Sequence, residues 1–241
     1  MLLAKAEDGA RIEPQPRARA RCPQCDAAVV AKCGKLVSWH WSHRAAECDS
    51  WSEGETEWHL SWKRRVEPAA CEVVLGNHRA DIRTANGRVI ELQHSPIDSA
   101  TLAEREAFYP DLVWLFDAEA FNLELHPSAA RVDFLWKHVR KSLLEVTRPM
   151  YWDLGNGFAM QVLALLSDPT LGGVRGRGVL LDTECLASSL FGPSARPEVH
   201  ALAGQRSQRV SRCLARAHAE LRLRPSQGID AALRSAMLSL R

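Results

Sequence analysis

The chain has 241 residues, 46% hydrophobic and 25% charged, a composition that excludes a disordered or fibrous protein and allows one moderate domain or two small ones. A formal net charge of +2 excludes a general electrostatic attraction to nucleic acid, so any nucleic-acid surface must be a local patch. No apolar run approaches bilayer-spanning length, no secretory pattern opens the sequence, and seven cysteines is an odd number; the expectation is a cytoplasmic protein with reduced thiols and no membrane partner.

Residues 1–21 read as a short strand or arm followed by a Pro- and Arg-rich linker, Glu13 to Arg21. Cys22-Pro-Gln-Cys25 follows, then His40-Trp-Ser-His43. A Cys-x2-Cys knuckle presents two thiolates to one zinc ion, and the two histidines complete a four-ligand structural site. Cys33 and Cys48 are rival ligands, and free buried thiols beside packed histidines are the plainer alternative. The short His-x2-His gap excludes the common DNA-reading finger.

Glu53 to Val66 reads as a helix stopped by Pro68. Spacing four puts Glu55, His59 and Lys63 on one stripe beside Trp62 and Val66. That row is either a surface Glu–Lys ladder or a set of groups aimed at a site. Cys71 to Leu75 is a strand, and Gly76-Asn77 a turn.

Arg79 to Thr84 and Arg88 to Ser95 then alternate around Ala85-Asn86-Gly87, a strong hairpin signal. A three-residue loop with Gly87 left-handed places Asp81 opposite Glu91 and Arg79 opposite Gln93. Ala80, Ile82, Ile90 and Leu92 then share the core face. Two carboxylates directly opposite repel. A hard divalent cation such as Mg²⁺ would relieve that repulsion, and so would a solvated edge with Arg79 and Arg83 as partners.

Asp98 or Ser99 caps a helix to about Phe108, and Leu112 to Phe116 is a buried strand. Phe121 to Leu125 is a further strand, and Met150 to Leu163 a hairpin through Asn156-Gly157. Gly172 to Gly178 reads as a glycine-rich loop without the Gly-Lys-Ser/Thr of a phosphate cradle. Gln205 to Arg224 is a helix with an apolar stripe of Val210, Leu214, Ala217 and Leu221. Its arginines (206, 209, 212, 216, 222 and 224) form a solvated face or a surface for anionic partners.

The run Arg79-Ala-Asp…Ile-Glu-Leu-Gln-His-Ser-Pro-Ile97 resembles the competence protein CoiA-like nucleases, within the PD-(D/E)XK superfamily. Glu91-Leu-Gln93 stands where the wider superfamily has Glu-x-Lys. The Cys-Pro-x-Cys and His-aromatic-small-His segments and the Glu55…His59…Lys63 spacing match the same family. The resemblance weakens after about residue 119. It implies an α/β fold: a restriction-endonuclease-like mixed sheet flanked by helices, with an N-terminal zinc module (1–50), a nuclease core (51–148) and a C-terminal α+β accessory region (149–241).

It also implies a Mg²⁺- or Mn²⁺-dependent deoxyribonuclease acting in DNA uptake, recombination or processing of incoming DNA. Asp81 and Glu91 would hold the metal. Gln93, Glu55, His59 and Lys63 would complete the catalytic set, with Lys63 supplying the charge that Gln93 lacks. Arg105 would contact phosphate. Cys22, Cys25, His40 and His43 would hold zinc, and DNA and recombination proteins would be the partners. The alternative is a catalytically weak DNA-binding or recombination scaffold of the competence system.

Overall fold

A computed structural model describes residues 1–45, 48–52, 54–128, 131–168 and 173–240. The chain divides into two compact units: residues 1–95 with 191–196, and residues 96–190 with 197–241. Residues 1–50 therefore share a unit with the hairpin around Ala85-Asn86-Gly87. The architecture is mixed α/β. Among the described residues no helix is long and apolar enough to cross a membrane.

The first unit opens with a five-stranded antiparallel sheet. Its strands are β1 (Ala4–Lys5), β2 (Arg11–Ile12), β3 (Arg19–Arg21), β4 (Ala28–Lys32) and β5 (His40–His43), in the spatial order β2-β1-β3-β4-β5. The arginine stretch expected as a linker supplies β3. Ala20 is buried between exposed Arg19 and Arg21, the period-2 alternation of a strand with one wet face. Met1, Ala4, Ala20, Cys22, Val29 and Trp41 form this sheet's core.

Helix α1 (Glu57–Lys63) is shorter than the periodicity implies. Thr56 is its N-cap, so Glu55 lies in the extended lead, and Glu53 falls outside the described residues. The cap is a capping box in which His59 replaces the usual Glu or Gln: Thr56 Oγ1 accepts from His59 N, and Thr56 N donates to His59 Nδ1.

Strands β6 (Cys71–Leu75), β7 (His78–Arg83) and β8 (Val89–Gln93) follow as an antiparallel meander. The β7–β8 register is Ile82 with Ile90 and Arg83 with Val89, which carries Asp81 opposite Glu91 as the sequence predicts. Thr84 N donates to Arg88 O at 2.9 Å, Gly87 N donates to Thr84 O at 2.9 Å, and Gly87 has φ +90°. Residues 191–196 close onto this unit. Phe191 packs edge-on to Trp62, Val66 bridges Ala195, and Ser194 Oγ accepts from Ala85 N at the hairpin tip (2.7 Å).

The second unit begins with α2 (Ser99–Phe108), capped by Asp98, whose carboxylate accepts from Thr101 N. Its strands are β9 (Leu112–Asp117), β10 (Leu123–Pro127), β11 (Val132–Trp136), β12 (Met150–Gly155), β13 (Phe158–Asp168) and β14 (Gly173–Asp182), in the spatial order β10-β11-β14-β13-β12-β9. The β9–β12 pair is parallel and the others are antiparallel, so the sheet is mixed. Asn156 and Gly157 turn β12 into β13 with φ of 55° and 77°, the two positive values that a tight hairpin turn requires.

The glycine-rich stretch is strand β14, not a loop, and Gly172 lies outside the described residues. Its glycines have a packing cause. A Cβ on Gly176 would enter the Phe134 ring, and one on Gly178 would enter Met160.

Helices α3 (Thr183–Phe191), α4 (Pro197–Arg206), α5 (Arg209–Leu223) and α6 (Ile229–Ser239) end the chain. The single expected C-terminal helix is thus preceded by α4, and Arg209 leaves the solvated set. It is buried, pairs with Asp182 at 2.7 Å, donates to the Asn156 and Gly157 carbonyls, and stacks on Phe158 at 4.3 Å. Cys213 and Ala217 bury the same stripe, while Arg212, Arg216, Arg222 and Arg224 face solvent.

Candidate functional site

Two clusters in the first unit carry chemistry. The first gathers Cys22, Cys25, His43 and Cys48, whose ligand atoms all lie within 4.8 Å of one another. Among the described residues it is the one set of three or more Cys, His, Asp or Glu side chains whose ligand atoms lie that close together. Cys22 Sγ and Cys48 Sγ are 3.7 Å apart, and Cys25 Sγ is 3.3 Å from His43 Nε2. A tetrahedral zinc with Zn–S of about 2.3 Å sets its sulfurs about 3.8 Å apart. Gln24 N donates to Cys22 Sγ at 3.4 Å. These four residues could form a zinc site, and the donor set fits a structural one.

The expected ligand His40 is not in this set, and Cys48 takes its place. His40 and His43 are three apart on one strand, so they face opposite sides of β5. His40 Nδ1 instead meets Ser38 O at 2.8 Å. Burial opposes ionisation of Cys25, yet the Ala27 backbone, His43 and the other thiols bring its pKa down to about 7. Cys48 moves the other way, to about 12, through burial and then its thiol neighbours. Without a metal Cys25 therefore ionises well before Cys48, and a cation would be needed to hold both as thiolates.

The knuckle is anchored to the meander. Gln24 Nε2 donates to Asn77 O at 2.6 Å. Asp49, beside Cys48, is buried and accepts from Arg79 N at 2.7 Å, and its other oxygen lies 2.9 Å from His78 Nδ1. Trp51 stacks on the His78 ring with centroids 3.3 Å apart.

The second cluster centres on Lys63, only 3% exposed. Its Nζ lies 2.7 Å from Glu55 Oε1, 2.9 Å from Asp81 Oδ1 and 3.0 Å from Glu72 Oε1. Burial would push the Lys63 pKa down, but Asp81, Glu55 and Glu72 outweigh it and hold it well above the ordinary lysine value. Burial would likewise raise Asp81 and Glu72. Lys63 and the other partners together outweigh it and hold both below the usual carboxylate range: the N-terminal amine, Arg79 and Leu3 N act with Lys63 on Glu72, and His59 and Leu92 N act with it on Asp81.

Asp81 and Glu91 interrupt the backbone ladder between their strands. Leu92 N donates to Asp81 Oδ2 at 3.0 Å, and Asp81 N donates to Glu91 Oε1 at 3.3 Å. Glu91 is 4% exposed, which sets aside the solvated-edge alternative. Arg79 donates to Ser52 instead, and Arg83 faces solvent. Gln93 is fully buried, and its Nε2 donates to Ser95 O at 2.9 Å. His59 is buried, with Nδ1 2.8 Å from Thr56 Oγ1. With Nδ1 accepting from Thr56, the neutral ring carries its proton on Nε2.

Sequence reasoning missed Glu72. It lies on β6 in the row that continues through Asp81 to Glu91, since Cys71 pairs with Ile82 and Val73 with Ala80. Its φ of +50° is strained for a non-glycine residue, and Leu2 N and Leu3 N donate to its two oxygens at 2.8 Å each. The signal was available: counting back from the Gly76-Asn77 turn puts Glu72 opposite Asp81. Cys48 was visible as a rival ligand, and only the fold decides in its favour. Arg105 is buried in the second unit, near the end of α2.

No family model matches the chain, and neither the curated proteins nor the solved structures yield a match. The functional reading therefore rests on the residues themselves.

Proposed function

We propose that this chain is a metal-dependent deoxyribonuclease with a restriction-endonuclease-like core, hydrolysing phosphodiester bonds at the Asp81–Glu91 hairpin. One juxtaposition carries the reading: two buried-edge carboxylates face each other across paired strands, with the Lys63 ammonium 2.9 Å from one of them. Asp81 and Glu91 would hold Mg²⁺ or Mn²⁺. The donors suit a hard cation, and Glu55 Oε2 is a buried acceptor with no hydrogen-bond partner among the described residues. Such an ion, when bound, polarises the scissile phosphate and lowers the pKa of an attacking water.

The chain's own groups do the rest. Lys63 carries a permanent positive charge beside Asp81 and can offset negative charge developing on phosphate. It takes the part for which Gln93 has no charge. Gln93 is held by Ser95 and offers a neutral amide for a water or a phosphate oxygen. His59, whose neutral ring carries Nε2–H, could donate a hydrogen bond to a phosphate or leaving-group oxygen. Glu72 holds Lys63 in place from behind.

A second reading has its own observation. Both Asp81 oxygens and Glu91 Oε1 already accept donors within the chain, so the site is stable without a metal. That favours a DNA-binding or recombination scaffold with weak cleavage. The test is purified protein with Mg²⁺ or Mn²⁺ on linear, circular and single-stranded DNA. Cleavage that requires the added metal supports the nuclease. DNA binding without cleavage supports the scaffold.

A further inference from the structure

We infer that the rim of this site is a stacking platform for unpaired nucleobases, so that the substrate class is single-stranded DNA; this rests on the nuclease reading for its setting, but not for its test. Trp58 is half-buried in the first turn of α1, next to His59. Its ring meets His59 edge-on at 5.2 Å, and exposed His94 lies 6.3 Å from it and 6.0 Å from His59. His94 directly follows Gln93, so these aromatic rings border the groups assigned to hydrolysis.

A second, independent feature lies beside them. The β4–β5 loop presents Leu36 at 98% exposure, Val37 at 56% and Trp39 at 44%. Exposed Lys32 and Lys35 lead into this apolar tip. Ser38 Oγ donates to Glu57 Oε2 at 2.8 Å, which ties the loop to the helix turn carrying Trp58. Trp39 Nε1 donates to Gly34 O at 3.1 Å and fixes the loop's shape.

Aromatic faces and apolar side chains interleaved with lysines match a single strand, whose bases expose π-faces and whose phosphates attract ammonium groups. In a duplex those faces are stacked on neighbouring bases and cannot reach a protein side chain without being flipped out.

The test is fluorescence anisotropy of a labelled single-stranded oligonucleotide against its duplex, without added Mg²⁺ so that the DNA stays intact. The expected result is tighter binding of the single strand, weakened about tenfold by Trp58→Ala and largely kept by Trp58→Phe. Trp39→Ala, in the exposed β4–β5 loop, is expected to weaken binding in the same direction, with Trp39→Phe largely keeping it. Equal affinity for duplex and single strand overturns the inference, as does unchanged binding in both alanine variants. Single-strand binding without cleavage by any metal would sink the nuclease reading and leave the platform standing. Metal-dependent cleavage of duplex, with stacking variants indifferent, would do the reverse.

Discussion

Lys63 is the residue on which the acidic cluster depends. Three carboxylates converge on one buried ammonium, and removing that cation strands them together. Lys63→Ala is therefore expected to cost about 3–5 kcal/mol of stability, the scale for breaking a buried pair. The pH dependence has a definite sign. The raised Lys63 pKa stabilises the fold below the ordinary lysine value and is lost only as pH rises through the higher folded value. The depressed pKa values of Asp81 and Glu72 stabilise it above the ordinary carboxylate range and are lost as pH falls through the lower folded values. Between about pH 5 and pH 10 the wild-type contribution is therefore flat. In Lys63→Ala the stranded carboxylates take up protons more readily, so the deficit is expected to shrink as pH falls from neutrality. Urea unfolding at about pH 5.5 and pH 7.5 measures this, and an equal deficit at both would contradict the charge account. Helical spacing put Lys63 in line with His59 and Glu55, but Glu55 lies ahead of the N-cap and reaches Lys63 from outside the helix, and the burial of the lysine was not legible. Helical periodicity says which residues share a face, not what covers that face.

Among the elements, the β7–β8 hairpin was legible in full, and the Cys/His cluster in three of its four members. Asn86-Gly87 fixes the turn, the turn fixes the register, and the register brings Asp81 to Glu91. A side chain at Gly87 would meet nothing within 4 Å, so substitution there acts only through its φ of +90°. Gly87→Val is expected to destabilise by about 1–3 kcal/mol, with Gly87→Asn less affected, because asparagine tolerates positive φ. Thermal unfolding of both variants checks the order.

The knuckle misled because spacing was counted along the chain, without the two-residue alternation of a strand. Once His40-Trp-Ser-His43 is known to be β5, only one of its histidines can face the thiols. His40→Ala is therefore expected to keep about one zinc per chain, whereas Cys48→Ser is expected to lose tight zinc and lower the melting temperature. Metal analysis of the two purified variants decides between the ligand sets, and retained zinc in Cys48→Ser would restore the original one.

At the scale of the whole molecule, residues 1–50 and the meander belong to one compact unit, joined through Gln24–Asn77 and through Asp49 to His78 and Arg79. These links join residues far apart in sequence and carry no local signal, so the unit could not be drawn from composition. The second unit shows the same limit. Gly173 to Gly178 looks like a loop by content, and only the Phe134 and Met160 side chains opposite explain why glycine is needed in a strand.

The integration of the knuckle has a measurable consequence. Stripping zinc is expected to raise hydrogen exchange at Arg79 and its β6–β7 neighbours, while the β13–β14 amides of the second unit stay protected. A uniform rise, or none in β7, would mean that the knuckle does not support the hairpin.

The proposed hydrolysis needs the Asp81 carboxylate. The measurement that tests it most directly compares wild type and Asp81→Asn on the same DNA across a Mg²⁺ and Mn²⁺ titration, with Trp fluorescence confirming that both are folded. The expected result is metal-dependent cleavage by wild type and none above background by Asp81→Asn. Equal cleavage by the two proteins would contradict the assignment of the chemistry to this hairpin.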